Sequence, residues 1–131
     1  MIYGIGVDIV RVARMQAALE RFGERLARRI LTSHEMSALA HSRRPAYFLA
    51  KRFAAKEAVA KALGTGFRHG LALHHIGVRS DELGRPLLEF HGAALALLTE
   101  RGISGAHLSL ADEEDYALAF VTLTKQVSMS A

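Results

Sequence analysis

Residues 52–66, RFAAKEAVAKALGTG, set the frame for everything around them. The alanines at 54, 55, 58, 60 and 62 favour a helix and keep it slim, so another element can approach closely. Phe53, Glu57 and Lys61 recur every four residues and share one helical face. Gly64-Thr65-Gly66 closes the helix with a glycine C-cap. Glu57 and Lys61 also stand in the favoured order for a surface ion pair, the plainest reading of those two residues alone. A helix that only faces solvent has little use for so many alanines. A phosphate-binding loop would place its glycines before the helix and its lysine after them. Here the order is reversed, which favours the simple cap.

Outward from that helix, residues 4–11, GIGVDIVR, are the second informative stretch. They read as an apolar strand bearing one carboxylate, Asp8. That acid is either the N-cap of a helix opening near Arg11 or a ligand, because a carboxylate is costly to bury without a partner. A lone acid on a strand and a second, Glu57, inside a basic helix form a candidate Mg²⁺–polyphosphate site. Mg²⁺ takes hard oxygen ligands, uses one or two carboxylates, and fills its shell with water and substrate phosphates. Zinc has no support: there is no cysteine, and the seven histidines show no H-x-x-x-H spacing. His74 and His75 fall in an expected strand and would point to opposite faces.

The remaining elements follow from periodicity and punctuation. Residues 2–8 form a strand, and residues 11–30 carry helical periodicity that Gly23 breaks in two. Thr32 and Glu35 form a capping box for a short helix. Pro45 opens the long helix that runs to Leu63. Strands are expected over 74–79 and 86–91 around a turn at 81–85, a helix over 93–101, and a final strand pair over 106–110 and 116–124. The acidic link 111–115 joins that pair, and the tail 125–131 is expected to fray. The fold class is α+β, a mainly antiparallel sheet packed with a long helix, in one domain spanning residues 1–131.

A chain of 131 residues, 50% apolar, supports a real core. At this size oligomerisation would help burial. The N-terminal stretch lacks a basic start and carries Asp8, so it does not read as a signal peptide, and no apolar run reaches membrane-span length. The net charge of +4 is uneven. Residues 1–68 hold 13 Lys+Arg against 5 Asp+Glu, whereas residues 69–131 hold 4 against 8. The basic half calls for an anionic partner. On a continuous helix Arg11, Arg14, Arg21, Arg25 and Arg28 fall within an arc of roughly 100°. That stripe is either a solvated face or a docking surface. A nucleic-acid-binding module would use the same charge, but the 7% aromatic content gives it few stacking platforms.

Four segments in order carry a family resemblance: YGIGVDIVRVARM, FLAKRFAAKEAVAKALGTG, DELGRPLLEF and HLSLADEEDYALAFV. Together they resemble the holo-acyl-carrier-protein synthases, the small 4′-phosphopantetheinyl transferases. The resemblance implies transfer of 4′-phosphopantetheine from coenzyme A to a serine of apo-acyl carrier protein, in support of fatty acid biosynthesis. It implies a homotrimer with sites at subunit interfaces. The absence of cysteine fits a cytoplasmic protein, and neither a nucleic-acid nor a membrane partner is expected. Position by position, Asp8 and Glu57 match the Mg²⁺ ligands and Lys61 the lysine on the pyrophosphate. Arg52 matches a coenzyme A-binding residue. Gly64, Thr65, Arg85, Pro86 and His107 fall in segments lining the nucleotide site. Arg14 matches an arginine gripping the acidic carrier protein, with Arg21, Arg25 and Arg28 beside it on the stripe. Val10 stands where larger relatives carry a second acid. Ala111 and Asp112 stand where many members place a second histidine. The seryl proton acceptor stays open among Glu57, Asp8 and a metal-bound water. An inactive trimeric scaffold is the remaining alternative, although every motif residue is in place.

Overall fold

A computed structural model of the chain describes residues 1–127. Strand β1 (Ile2–Arg11) leads into helices α1 (Val12–Phe22), α2 (Glu24–Ile30), α3 (Ser33–Ala40) and α4 (Pro45–Leu63). A 3₁₀ turn (Leu73–His75) precedes the hairpin β2 (Ile76–Ser80) and β3 (Pro86–Phe90), then α5 (Gly92–Glu100), β4 (Ile103–Glu113) and β5 (Tyr116–Lys125). The architecture is α+β and every strand pair is antiparallel. One sheet has the order β1-β5-β4, and β2-β3 forms the other.

Helix α4 is the spine, and its alanines explain why. Ala54, Ala55 and Ala58 are fully buried. They let α4 lie against β1 so closely that a Cβ on Gly6 would stand 1.9 Å from the Ala58 carbonyl oxygen. One on Gly4 would stand 2.0 Å from that of Ala62. The strand therefore requires glycine at both positions. Strand alternation puts Ala117, Ala119, Val121 and Leu123 of β5 against the same helix, all fully buried. Burying a side chain such as Leu123 contributes roughly 1.5–3 kcal/mol.

The expected boundaries hold where a residue supplies a local signal. Pro45 starts α4, and Gly64 ends it in the left-handed conformation at φ 79°. Gly23, at φ 60°, separates α1 from α2. Thr32 and Glu35 close the capping box of α3. Four expectations are corrected. Strand β1 runs to Arg11, so Asp8 sits mid-strand opposite Ala119 and is not a helix cap. Arg11 is the N-cap of α1, without a side-chain bond. His74 and His75 lie in the 3₁₀ turn with their rings edge-on at 4.7 Å, not alternating on a strand. Strands β4 and β5 extend to Glu113 and from Tyr116, so the acidic link is mostly strand. Lys125 is also paired, its N–H donating to the Met1 carbonyl at 2.7 Å. The rest of the expected tail lies largely outside the described residues.

Candidate active site

Asp8 lies on the inner face of β1 with Gly6 and Val10, facing α4. Its Oδ1 accepts from Lys61 Nζ at 2.9 Å, and the same ammonium donates to the Val7 carbonyl at 3.0 Å. The plain Glu57–Lys61 ion pair is therefore not formed: Lys61 turns to the strand instead. Glu57, half-buried, makes no salt bridge among the described residues. Burial holds its carboxyl above the ordinary value and the Asp8 charge adds to that, while Lys61 opposes both. Two carboxylates thus face each other with one cation between strand and helix.

Asp8 and Glu57 open into a cleft of about 410 Å³. Met15, Ala18, Leu26, Ile30 and Phe53 give it an apolar wall, and Arg11 and Arg14 add two cations. Among the described residues no group of three or more acidic or histidine side chains is poised around a metal. A two-carboxylate set in which Glu57 lacks a paired cation fits Mg²⁺, which leaves the rest of its shell to water and phosphate. It does not fit a closed structural metal site.

The other expected residues divide into separate places. Arg52 and Pro86 line a second cleft of about 260 Å³ with Lys51, Ser80 and Gly84. Arg85 precedes Pro86 in the hairpin turn, where its N–H and Nε both donate to the Asp81 carboxylate. Those bonds hold the Asp81 carboxyl below the ordinary range. Gly64 and Thr65 follow Lys61 at the end of α4, and Thr65 Oγ1 donates to the Gly66 carbonyl at 2.8 Å. His107 is exposed on the outer face of the three-stranded sheet, opposite Thr122.

Gly23 breaks the helix along which the arginine stripe was expected, so α1 carries Arg14 and Arg21 and α2 carries Arg25 and Arg28. Arg14 reaches the carboxylate cleft. Arg21 stacks on Phe22 at 5.1 Å. Arg28 is bound to Glu24 at 2.7 Å and faces a larger cleft, about 570 Å³, with His34, His74, Arg79 and His91. That larger cleft lacks a pair of acids: its Glu89 is already bonded to Arg79. Arg25 is exposed and makes no salt bridge among the described residues.

Sequence reading missed two features that support these clefts. Glu35 and Lys56 form a fully buried ion pair at 2.6 Å. Breaking one partner of such a pair costs roughly 3–5 kcal/mol. Arg101 Nη1 donates to both the Leu63 carbonyl and Tyr3 Oη at 2.7 Å, tying the end of α4 to the sheet. The first had a signal, a lysine on the alanine face of α4. The second had none, because its three residues lie far apart in sequence.

Residues 4–121 match the 4′-phosphopantetheinyl transferase superfamily. A holo-[acyl-carrier-protein] synthase of Nitrosococcus oceani is 62% identical over 94% of this chain and 80% of that protein. One of Nitrosospira multiformis is 54% identical over 95% of this chain and the whole of that protein. Among solved structures, the holo-[acyl-carrier-protein] synthase of Neisseria meningitidis superposes with a TM-score of 0.90 at 48% identity, covering 95% of this chain and 100% of that one. The Bacillus anthracis synthase, solved in complex with coenzyme A (3′,5′-ADP), superposes at 0.78 with 35% identity, covering 96% and 99%.

Proposed function

The chain belongs to the 4′-phosphopantetheinyl transferase superfamily, and from that membership we infer its reaction. It transfers the 4′-phosphopantetheine group of coenzyme A to a serine of apo-acyl carrier protein, in support of fatty acid biosynthesis. The seryl hydroxyl gives its proton to Glu57, Asp8 or a bound water, and its oxygen bonds to the phosphorus on the pantetheine side. The P–O–P bridge breaks, and adenosine 3′,5′-bisphosphate leaves with the bridging electron pair. The single observation that carries the site assignment is the convergence of Asp8 and Glu57, from different elements, on one cleft.

Asp8 and Glu57 would hold Mg²⁺, which would supply charge neutralisation at the pyrophosphate and the leaving phosphate. Transfer of this kind depends on positioning and charge neutralisation more than on covalent help. Lys61 hands its ammonium from Asp8 to the pyrophosphate, adding a cation where charge develops. Arg14, beside the carboxylates, meets the acidic carrier protein. Arg52, with Pro86 and its neighbours, binds coenzyme A.

The working form is a cytoplasmic homotrimer. Two observations support that assembly. Ile5, Val7, Ile9 and Phe120 leave a continuous apolar face on the outer side of the three-stranded sheet, each between 43% and 59% exposed. A soluble protein rarely leaves such a face open. In addition, the Arg52 cleft and His107 do not open into the carboxylate cleft of the same chain, so a neighbouring copy brings the two halves of the site together.

The deciding experiment is mass spectrometry of apo-acyl carrier protein after incubation with this protein, coenzyme A and Mg²⁺. The carrier gains one phosphopantetheine group. It gains none when a chelator replaces Mg²⁺ or when Asp8→Ala replaces the wild type. An unmodified carrier under the complete conditions sinks the reading.

A further inference from the structure

Glu35 is 1% exposed, yet three hydrogen-bond donors and a second cation, Arg52, converge on it. Oε1 accepts from Lys56 Nζ at 2.6 Å and from the Thr32 N–H at 2.9 Å. Oε2 accepts from the Val78 N–H at 2.9 Å and stands 3.2 Å from Arg52 Nε. The capping box needs only the Thr32 contact, and Lys56 alone neutralises the charge. Arg52 is therefore a second cation on one carboxylate, beyond what helix capping or charge balance requires. Burial is also unfavourable to its guanidinium, which it holds below the ordinary value.

The placement of Arg52 explains the expense. Its guanidinium lies 3.8 Å from the Phe48 ring centroid on one side, with Nε in ion-pair contact with Glu35. That Nε is buried without a hydrogen-bond partner among the described residues, and the side chain lines the cleft with Lys51, Ser80, Gly84 and Pro86. The opposite wall of that cleft comes from the β2-β3 hairpin, and Glu35 holds that hairpin too, through the Val78 N–H. Lys56 adds a bond to the Ile76 carbonyl at 2.5 Å. One buried carboxylate therefore fixes both the cation and the wall opposite it.

We propose that Glu35 is a positioning residue for coenzyme A: with Phe48 it presents the Arg52 guanidinium, already oriented, to a phosphate of the substrate. A guanidinium suits this arrangement because its planar fork can pair on one edge and bind an anion on another, which an ammonium cannot do. The inference rests on the reading that Arg52 binds coenzyme A.

The test is coenzyme A affinity by calorimetry, with steady-state kinetics, for folded trimers of three variants. Lys56→Met leaves Glu35 its Arg52 and Val78 contacts and isolates the loss of the Ile76 bond, so coenzyme A affinity falls clearly less than in the double variant. Glu35→Gln with Lys56→Met removes one charge of each sign. It weakens coenzyme A binding about tenfold or more, while kcat at saturating coenzyme A and the KM for carrier protein stay within about threefold. Arg52→Lys weakens coenzyme A binding to a similar degree. Removing a negative charge by itself draws an anion closer. A double variant that binds coenzyme A as well as wild type, or more tightly, therefore overturns the proposal. If the double variant does not fold, Arg52→Lys decides, and wild-type affinity in that variant overturns it equally. A wild-type protein that binds no coenzyme A overturns the functional reading beneath it, a distinct failure.

Discussion

Glu57 faces Asp8 across the cleft, and the neighbouring ammonium of Lys61 is committed to Asp8. Its carboxyl is raised above the ordinary value of 4.5, so ionising it costs the folded, metal-free protein. The unfolded chain releases this proton first as pH rises. That loss of stability is absent below about 4.5 and complete above the raised folded value. Glu57→Gln therefore melts higher than wild type at pH 7 without metal, and the gap closes as pH falls towards 4.5. Mg²⁺ raises the melting temperature of wild type and has little effect on the variant, whose turnover falls roughly 100-fold or more. Calorimetric scans with and without Mg²⁺ check this; a variant that melts below wild type at neutral pH contradicts it. Asp8, Glu57 and Lys61 were legible because an acid on an apolar strand and a charged face on an alanine helix are locally anomalous. Whether Lys61 would pair with Glu57 or Asp8 was not, because that choice depends on how closely β1 approaches α4. Glu35 was legible only as a cap, since its second role depends on Lys56 and Arg52, brought in by α4.

The elements that sequence placed well are those with a punctuating residue at their ends: Pro45, Gly64, Gly23 and Thr32. The lengths of β1 and β4 were underestimated, because a strand extends as far as its partner pairs with it. Tyr116 opposite both Arg11 and Glu113 carries β1 and β4 well beyond their apolar runs. The turn at Leu73–His75 was misread because apolar and histidine residues suit a strand. There the Ala72 N–H donates to His75 Nδ1 at 3.1 Å and curls the chain. The close packing of β1 on α4 gives a sharp prediction. Gly6→Ala places a methyl 1.9 Å from the Ala58 carbonyl oxygen and 2.8 Å from the Ala62 nitrogen, both backbone atoms of a buried helix. The two elements must separate, and stability falls by roughly 3 kcal/mol. Asp8 moves away from Lys61 with the strand. Urea unfolding midpoints measure the loss, and a variant within error of wild type shows that α4 yields more easily than its packing implies.

At the scale of the whole molecule, the outer sheet face decides whether the chain works alone. Phe120→Asp puts a charge in the middle of Ile5, Val7 and Ile9 without touching the carboxylates. The expected product is a folded monomer with little transfer activity, read by sedimentation alongside the mass assay. A fully active monomer contradicts the trimer. Sequence indicated this only indirectly, through the size of the chain and the family resemblance, since an apolar residue on a two-sided strand gives no sign of which side is covered. The same sheet also governs timing. Ile2 pairs with Thr124 and Asp8 with Ala119, so β1 waits for a partner strand made more than 100 residues later. At ~5–20 residues per second that wait is roughly 5–20 s. Throughout it, β1 has an open edge and an apolar face, a ready client for chaperones. Helix α4 is complete well before its sheet exists. Asp8 therefore takes its place beside α4 only once β5 has been made.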